Sequence, residues 1–183
     1  MNTRESLIQT TAKYIQKSGF NGTGLSDILS DVGVPKGSLY HHFPNGKDEL
    51  FACAVHHYKD YLSEIFLSSM KGKSTASQGL SAMIDKYSEL LKKSNYTLGC
   101  PISIIALETS GKNEILTQAC KEVMDYWVEK INSYLTYKGI ISDEHAALDF
   151  LTRLEGALIV SRIYQNDKAL KKLKSQIKEI IEE

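Results

Sequence analysis

Apolar residues along this chain recur at three- and four-residue intervals rather than alternating, the period of an amphipathic helix. The prolines, Pro35, Pro44 and Pro101, fall between these periodic stretches. The first stretch places Leu7, Ile8, Ala12 and Ile15 on one face, with Asn2 or Thr3 as its cap and Gly19 to end it. A second helix is predicted from Thr23 as N-cap, burying Leu25, Ile28, Leu29 and Val32 before Gly33 stops it. Val34 and Pro35 then open a short third helix, because proline loses nothing in a first helical turn. Leu39, Tyr40 and Phe43 anchor that helix and leave Lys36, Gly37, Ser38 and His41 on other faces.

Pro44-Asn45-Gly46 reads as a turn, and Lys47-Asp48-Glu49-Leu50 starts a long helix whose early acids suit the helix dipole. That helix is predicted to run to about Met70, followed by a break at Lys71 to Thr75. Further helical segments fall near 76–94, 101–110, 112–136, 142–165 and 167–182. The expected fold class is therefore all-α, with about nine helices. A natural division lies near residue 46, between an N-terminal three-helix domain, 1–46, and a larger helical body, 47–183.

Charge then narrows the function. Lysine and arginine total 22 and aspartate and glutamate total 22, so the chain has no bulk positive field with which to hold nucleic acid. Residues 1–50 are balanced as well, so any DNA binding must come from local placement of charge. A polar start, without the apolar core of a signal peptide or a long apolar run, leads us to expect a cytoplasmic protein with no membrane partner. Cys53, Cys100 and Cys120 are scattered and odd in number, which fits reduced thiols.

Two short helices joined by a tight glycine turn form the helix-turn-helix arrangement, in which the second helix presents its N-terminal residues to base edges and phosphates. Here that helix is Pro35 to His42. Lys36 can reach a phosphate or a guanine, Ser38 can donate or accept, and Gly37 lets the backbone approach the duplex. Tyr40 and His41 are placed for the sugar-phosphate backbone, while helix starts at Thr23, with Gly24 beside it, and at Lys47 offer further phosphate sites.

From Thr23 to Leu50, the run Gly33-Val34-Pro35-Lys36-Gly37-Ser38-Leu39-Tyr40-His41-His42-Phe43, followed by Lys47-Asp48-Glu49-Leu50, resembles the DNA-binding signature of TetR/AcrR-family transcriptional regulators. The Pro-Asn-Gly-Lys spacing after Phe43, with Leu98-Gly99-Cys100-Pro101 in the body, is similar to the LmrA/YxaF-like subgroup. Two departures stand out. Gly24 occupies a position where many members carry a second threonine, and Pro44-Asn45-Gly46 holds an extra residue ahead of Lys47. The resemblance implies that the body is a ligand-binding and dimerisation domain. It also implies a homodimer paired through the last two long helices, a near-palindromic double-stranded operator, and repression relieved by a small hydrophobic effector.

The body's own residues agree without deciding the matter. Leu148, Leu151, Leu154 and Leu158 form one apolar stripe and Leu170, Leu173, Ile177 and Ile180 another, which serve equally a monomer's core or a dimer seam. Candidate effector contacts are Tyr61, Met83, Tyr87, Cys100, Ile104, Leu107, Glu108, Trp127 and Glu155, aromatic or apolar groups with two acids set in apolar stretches. Each aromatic of this set also suits an ordinary core. Cys53 and His57 share a helix face with Asp60 nearby, but two ligands do not make a metal site, and neither metal nor cofactor is expected.

No phosphate loop, nucleophile elbow or paired-carboxylate motif supports an enzyme. The alternative that zero net charge and Gly24 favour is a helical interaction protein of the same fold without specific DNA binding.

Overall fold

The computed structural model describes residues 2–140 and 144–181, with only the backbone of Glu144. Among the described residues there are ten α-helices and no strand. They are α1 (Thr3–Ser18), α2 (Leu25–Val32), α3 (Lys36–His42), α4 (Gly46–Met70), α5 (Ala76–Lys93), α6 (Pro101–Thr109), α7 (Glu114–Tyr137), α8 (Glu144–Tyr164), α9 (Lys168–Ser175) and α10 (Ile177–Ile181). None of the described helices is long and apolar enough to cross a membrane.

The chain divides into two compact units, one of residues 1–61 and 100–123, the other of residues 62–99 and 124–183. In the first, Asn2 caps α1 by accepting the Glu5 N–H, and Gly19 ends it. Leu7, Ile28, Leu39, Phe43, Leu50 and Phe51 are fully buried together in this unit's interior. Removing each such side chain from water is worth about 1.5–3 kcal/mol, which is what holds helices as short as α2 and α3. Polar contacts orient them: the Tyr14 hydroxyl donates to Asp31 at 2.7 Å, tying α1 to α2. The Arg4 guanidinium lies 5.1 Å from the centre of the Phe43 ring, at the end of α3.

The second unit packs α5, α8, α9 and α10 around Leu80, Ile84, Phe150, Leu154, Leu158, Leu170 and Ile177. A capping box between Thr75 and Gln78 starts α5. The Phe66 and Tyr87 rings stack at 4.1 Å. Asp167 accepts from Lys92 at 2.7 Å, Lys171 at 3.0 Å and Ser88 at 3.1 Å. The lysine ammonium groups hold its carboxyl well below the usual carboxylate range.

Three expectations need revision. Thr23 does not cap α2: Gly24 does, with no side-chain bond, while the Thr23 hydroxyl is buried and donates to the Gly19 carbonyl at 2.6 Å. The segment from 167 is two helices, broken at Gln176, which brings the described total to ten. Tyr40 does not join Leu39 and Phe43 in the core but is about half exposed. The expected start of α8 near residue 142 lies outside the described residues.

Candidate nucleic-acid interface

The presentation of α3 begins with Gly33. Its φ of 73° lies in the left-handed region, which a glycine enters without steric cost, and its N–H bonds back to the carbonyls of Leu29 and Ser30. The chain therefore reverses sharply between α2 and α3. Leu39 is fully buried and fastens α3 from below, as Phe43 does just beyond its end. Pro35 is the N-cap, and Lys36, Gly37 and His41 are exposed, with Ser38 partly so.

Gly37 is the telling position. A Cβ added there would have nothing within 4 Å, so packing gives no reason for a glycine in a short helix. Glycine in a helix costs about 0.5–1 kcal/mol relative to alanine. The exposed backbone at Gly37 leaves room for a close approach from outside the chain. Tyr40 stands beside it, its ring edge 3.2 Å from where a Cβ on Gly46 would sit. The His41 and His42 rings meet edge to face at 4.9 Å.

Of the DNA-contact candidates, Pro35, Lys36, Gly37, Ser38, Tyr40 and His41 come together on α3 and its cap. Thr23 and Lys47 are committed elsewhere. The Lys47 ammonium donates to the carbonyls of Phe20 and Thr23, each at 2.8 Å, and lies 4.2 Å from the Phe20 ring. Its pKa is lowered by burial, against the opposing fields of Asp48 and Glu108. An ammonium held this way reaches a phosphate only by giving up two hydrogen bonds.

The effector candidates divide sharply. Met83, Tyr87 and Trp127 line an apolar cavity within the second unit, with Phe66, Met70, Ile131, Leu151 and Leu154 among the other walls. Its volume is about 60 Å³, well short of a drug-sized ligand. Trp127 is 8% exposed, and its indole N–H finds no acceptor among the described residues. The remaining candidates do not line it. Leu107 is 81% exposed, Tyr61 is exposed, and Cys100 and Ile104 lie with α6 in the first unit. Glu155 sits on α8 next to the lining residue Leu154 but is not itself a wall.

Glu108 serves a different purpose, accepting the N–H groups of Phe20 at 2.6 Å and Asn21 at 3.1 Å. The two acids looked alike in sequence because each interrupts an apolar run, and only tertiary structure separates them. The stripe expected from Leu148 to Leu158 is split: Leu151, Leu154 and Leu158 are buried while Leu148 lies on an exposed face whose other residues the sequence reading missed. Leu148, Ile159, Val160, Ile163 and Tyr164 are all exposed on a helix whose other side is core, and a Cβ on Gly156 would meet nothing. The apolar stripe of α9 and α10 is buried instead within its own unit, leaving lysines outward. Among the described residues no three histidine, cysteine or acidic side chains gather as a metal site.

Comparison with known proteins agrees with this geometry. Residues 7–54 match the family model for bacterial regulatory proteins of the tetR family. Residues 76–176 match that for the C-terminal domain of LmrA/YxaF-like transcriptional regulators. The chain is 29% identical to the HTH-type transcriptional regulator LmrA of Bacillus subtilis over 98% of its own length and 97% of LmrA's. It is also 29% identical to YxaF of the same organism, covering 96% of this chain and 93% of YxaF. A solved TetR transcriptional regulator from Chloroflexus aurantiacus superposes with a TM-score of 0.80 at 25% identity, covering 99% of this chain and 94% of that one.

Proposed function

The chain belongs to the TetR family of transcriptional regulators, with an LmrA/YxaF-like C-terminal domain, and from that premise we propose that it is a cytoplasmic homodimeric repressor released from its operator by a small hydrophobic effector. It is a DNA-binding regulator rather than an enzyme. The observation that carries the assignment of the reading surface is Gly37, exposed beside Lys36 with no neighbour to require it. In this reading Lys36 takes a guanine edge or a phosphate, Gly37 admits the duplex backbone, and Pro35, Ser38, Tyr40 and His41 flank the contact.

Residues 1–46 read DNA in this proposal, and 47–183 pair the subunits and take the effector. Pairing centres on the outer face of α8, the apolar surface that its own unit leaves uncovered. Two-fold pairing sets two recognition helices one turn of duplex apart, roughly 34–36 Å, and hence a near-palindromic operator. The effector occupies the cavity at Trp127 and Tyr87. Because that cavity holds only about 60 Å³, a drug-sized guest binds a widened conformation, and such differential affinity is what shifts an equilibrium between operator-competent and released states.

The test is a salt-titrated gel shift with a duplex carrying the gene's upstream intergenic sequence. Lys36→Ala is expected to weaken specific binding by about tenfold or more, the size of one good base or phosphate contact, with helical content and dimer intact. Unchanged binding would remove Lys36 from the reading surface. Wild-type protein that shifts no upstream duplex at low salt would favour the interaction-protein alternative.

A further inference from the structure

The turn that joins α1 to α2 is gripped from two sides by residues outside the reading surface. Glu108, near the end of α6, uses Oε2 to accept the backbone N–H of Phe20 at 2.6 Å and of Asn21 at 3.1 Å. Lys47, at the start of α4, gives its ammonium protons to the carbonyls of Phe20 and Thr23, both at 2.8 Å. Phe20 thus has its N–H taken by a carboxylate and its C=O by an ammonium, charge-assisted bonds roughly twice as strong as neutral ones. Gly19 completes the arrangement. Its φ is 67°, and a Cβ there would stand 2.5 Å from Oε1 of Glu108, so the carboxylate occupies space that any other residue would fill.

All of these features fix a single turn, residues 19–23. α2 departs from it after Gly24, and one tight turn later α3 follows. The Thr23 hydroxyl, bonded back to Gly19, closes the same turn internally. We infer that Glu108 and Lys47 are positioning residues for operator binding, setting the direction of α2 and with it α3, and that neither touches DNA. This rests on α3 being the reading helix.

Charge and positioning predict opposite signs for Glu108. Glu108→Gln removes a negative charge from a protein that binds a polyanion, so electrostatics by itself predicts equal or tighter binding. Positioning predicts weaker binding, because the neutral amide holds the Phe20 and Asn21 N–H groups less firmly. For Lys47 the discriminating quantity is the salt dependence: loss of a phosphate contact lowers the slope of log affinity against log salt by about one, whereas loss of a positioning contact leaves the slope alone.

The experiment uses full-length wild type, Glu108→Gln, Lys47→Met and Lys36→Ala, titrated with the upstream duplex across a salt series, and amide exchange at Phe20 and Asn21. Glu108→Gln is expected to bind about five- to twentyfold more weakly with an unchanged salt slope and faster exchange at those two amides. Lys47→Met is expected to weaken binding without altering the slope. Glu108→Gln binding as tightly as wild type or more so, its two amides remaining protected, or a slope lowered by about one in Lys47→Met would each overturn the inference. Lys36→Ala separates the premise: if it, Glu108→Gln and Lys47→Met all leave binding intact, reading by α3 fails and the inference falls with it. If only Lys36→Ala weakens binding, the reading helix stands and the positioning role falls alone.

Discussion

The turn at 19–23 and the cavity of the second unit are finished to different degrees. In the turn, the N–H groups of Phe20 and Asn21, the carbonyls of Phe20 and Thr23, and the Thr23 hydroxyl all have partners at 2.6–3.1 Å. In the cavity, apolar walls surround about 60 Å³, and the buried indole N–H of the lining residue Trp127 lacks an acceptor among the described residues. A buried donor left unpaired costs about 1–3 kcal/mol. The first region is complete without a guest and suits rigid presentation. The second keeps unfilled space between apolar walls.

If the second unit serves only to hold a guest, its outer surface should not matter for DNA. Charging the outer face of α8 tests this most severely. Ile163 is 70% exposed, so Ile163→Glu costs the isolated chain little, yet it buries a carboxylate in the proposed dimer seam. The expected result is a monomer of 20.5 kDa by sedimentation and operator affinity lower by at least about a hundredfold, because one recognition helix holds only a half-site. A dimer that still binds its operator would place pairing on another surface.

Gly37→Ala sharpens the other side of the comparison at intermediate size. Nothing within 4 Å obstructs the new methyl, so the variant should be more stable by about 0.5–1 kcal/mol in a denaturant titration. The same methyl stands between backbone and duplex, and operator binding is expected to fall by about tenfold. Stability and binding that move together would deny the close approach on which the DNA reading depends.

Which parts were legible in sequence follows from the same contrast. α1 to α3 could be read because their signals are local: Asn2 three residues before Glu5, Gly19 and Gly33 at helix ends, Leu39 and Phe43 four apart. The Thr23 cap failed by one residue because a hydroxyl can bond backward as well as forward, and here it bonds to Gly19. Glu108 and Phe20 lie 88 positions apart, so no spacing could pair them. The cavity draws Phe66 from α4, Tyr87 from α5, Trp127 from α7 and Leu154 from α8, each of which reads alone as ordinary core. The all-α class, by contrast, survives any single misreading because it rests on periodicity along the whole chain.

The smallest expected effect bears on the cavity itself. Trp127 is the chain's single tryptophan, and truncating a buried tryptophan to alanine ordinarily costs about 3–5 kcal/mol through lost contacts and the void left behind. Trp127→Phe keeps an aromatic ring but forfeits part of that packing, a loss of about 1–2 kcal/mol on the scale of one or two buried methylenes. It also removes the unpaired N–H, whose burial costs a comparable amount. The two terms oppose each other, so the phenylalanine variant should unfold within about 1 kcal/mol of wild type in urea followed by circular dichroism. A loss above about 2 kcal/mol would mean that the indole N–H is paired in the folded protein.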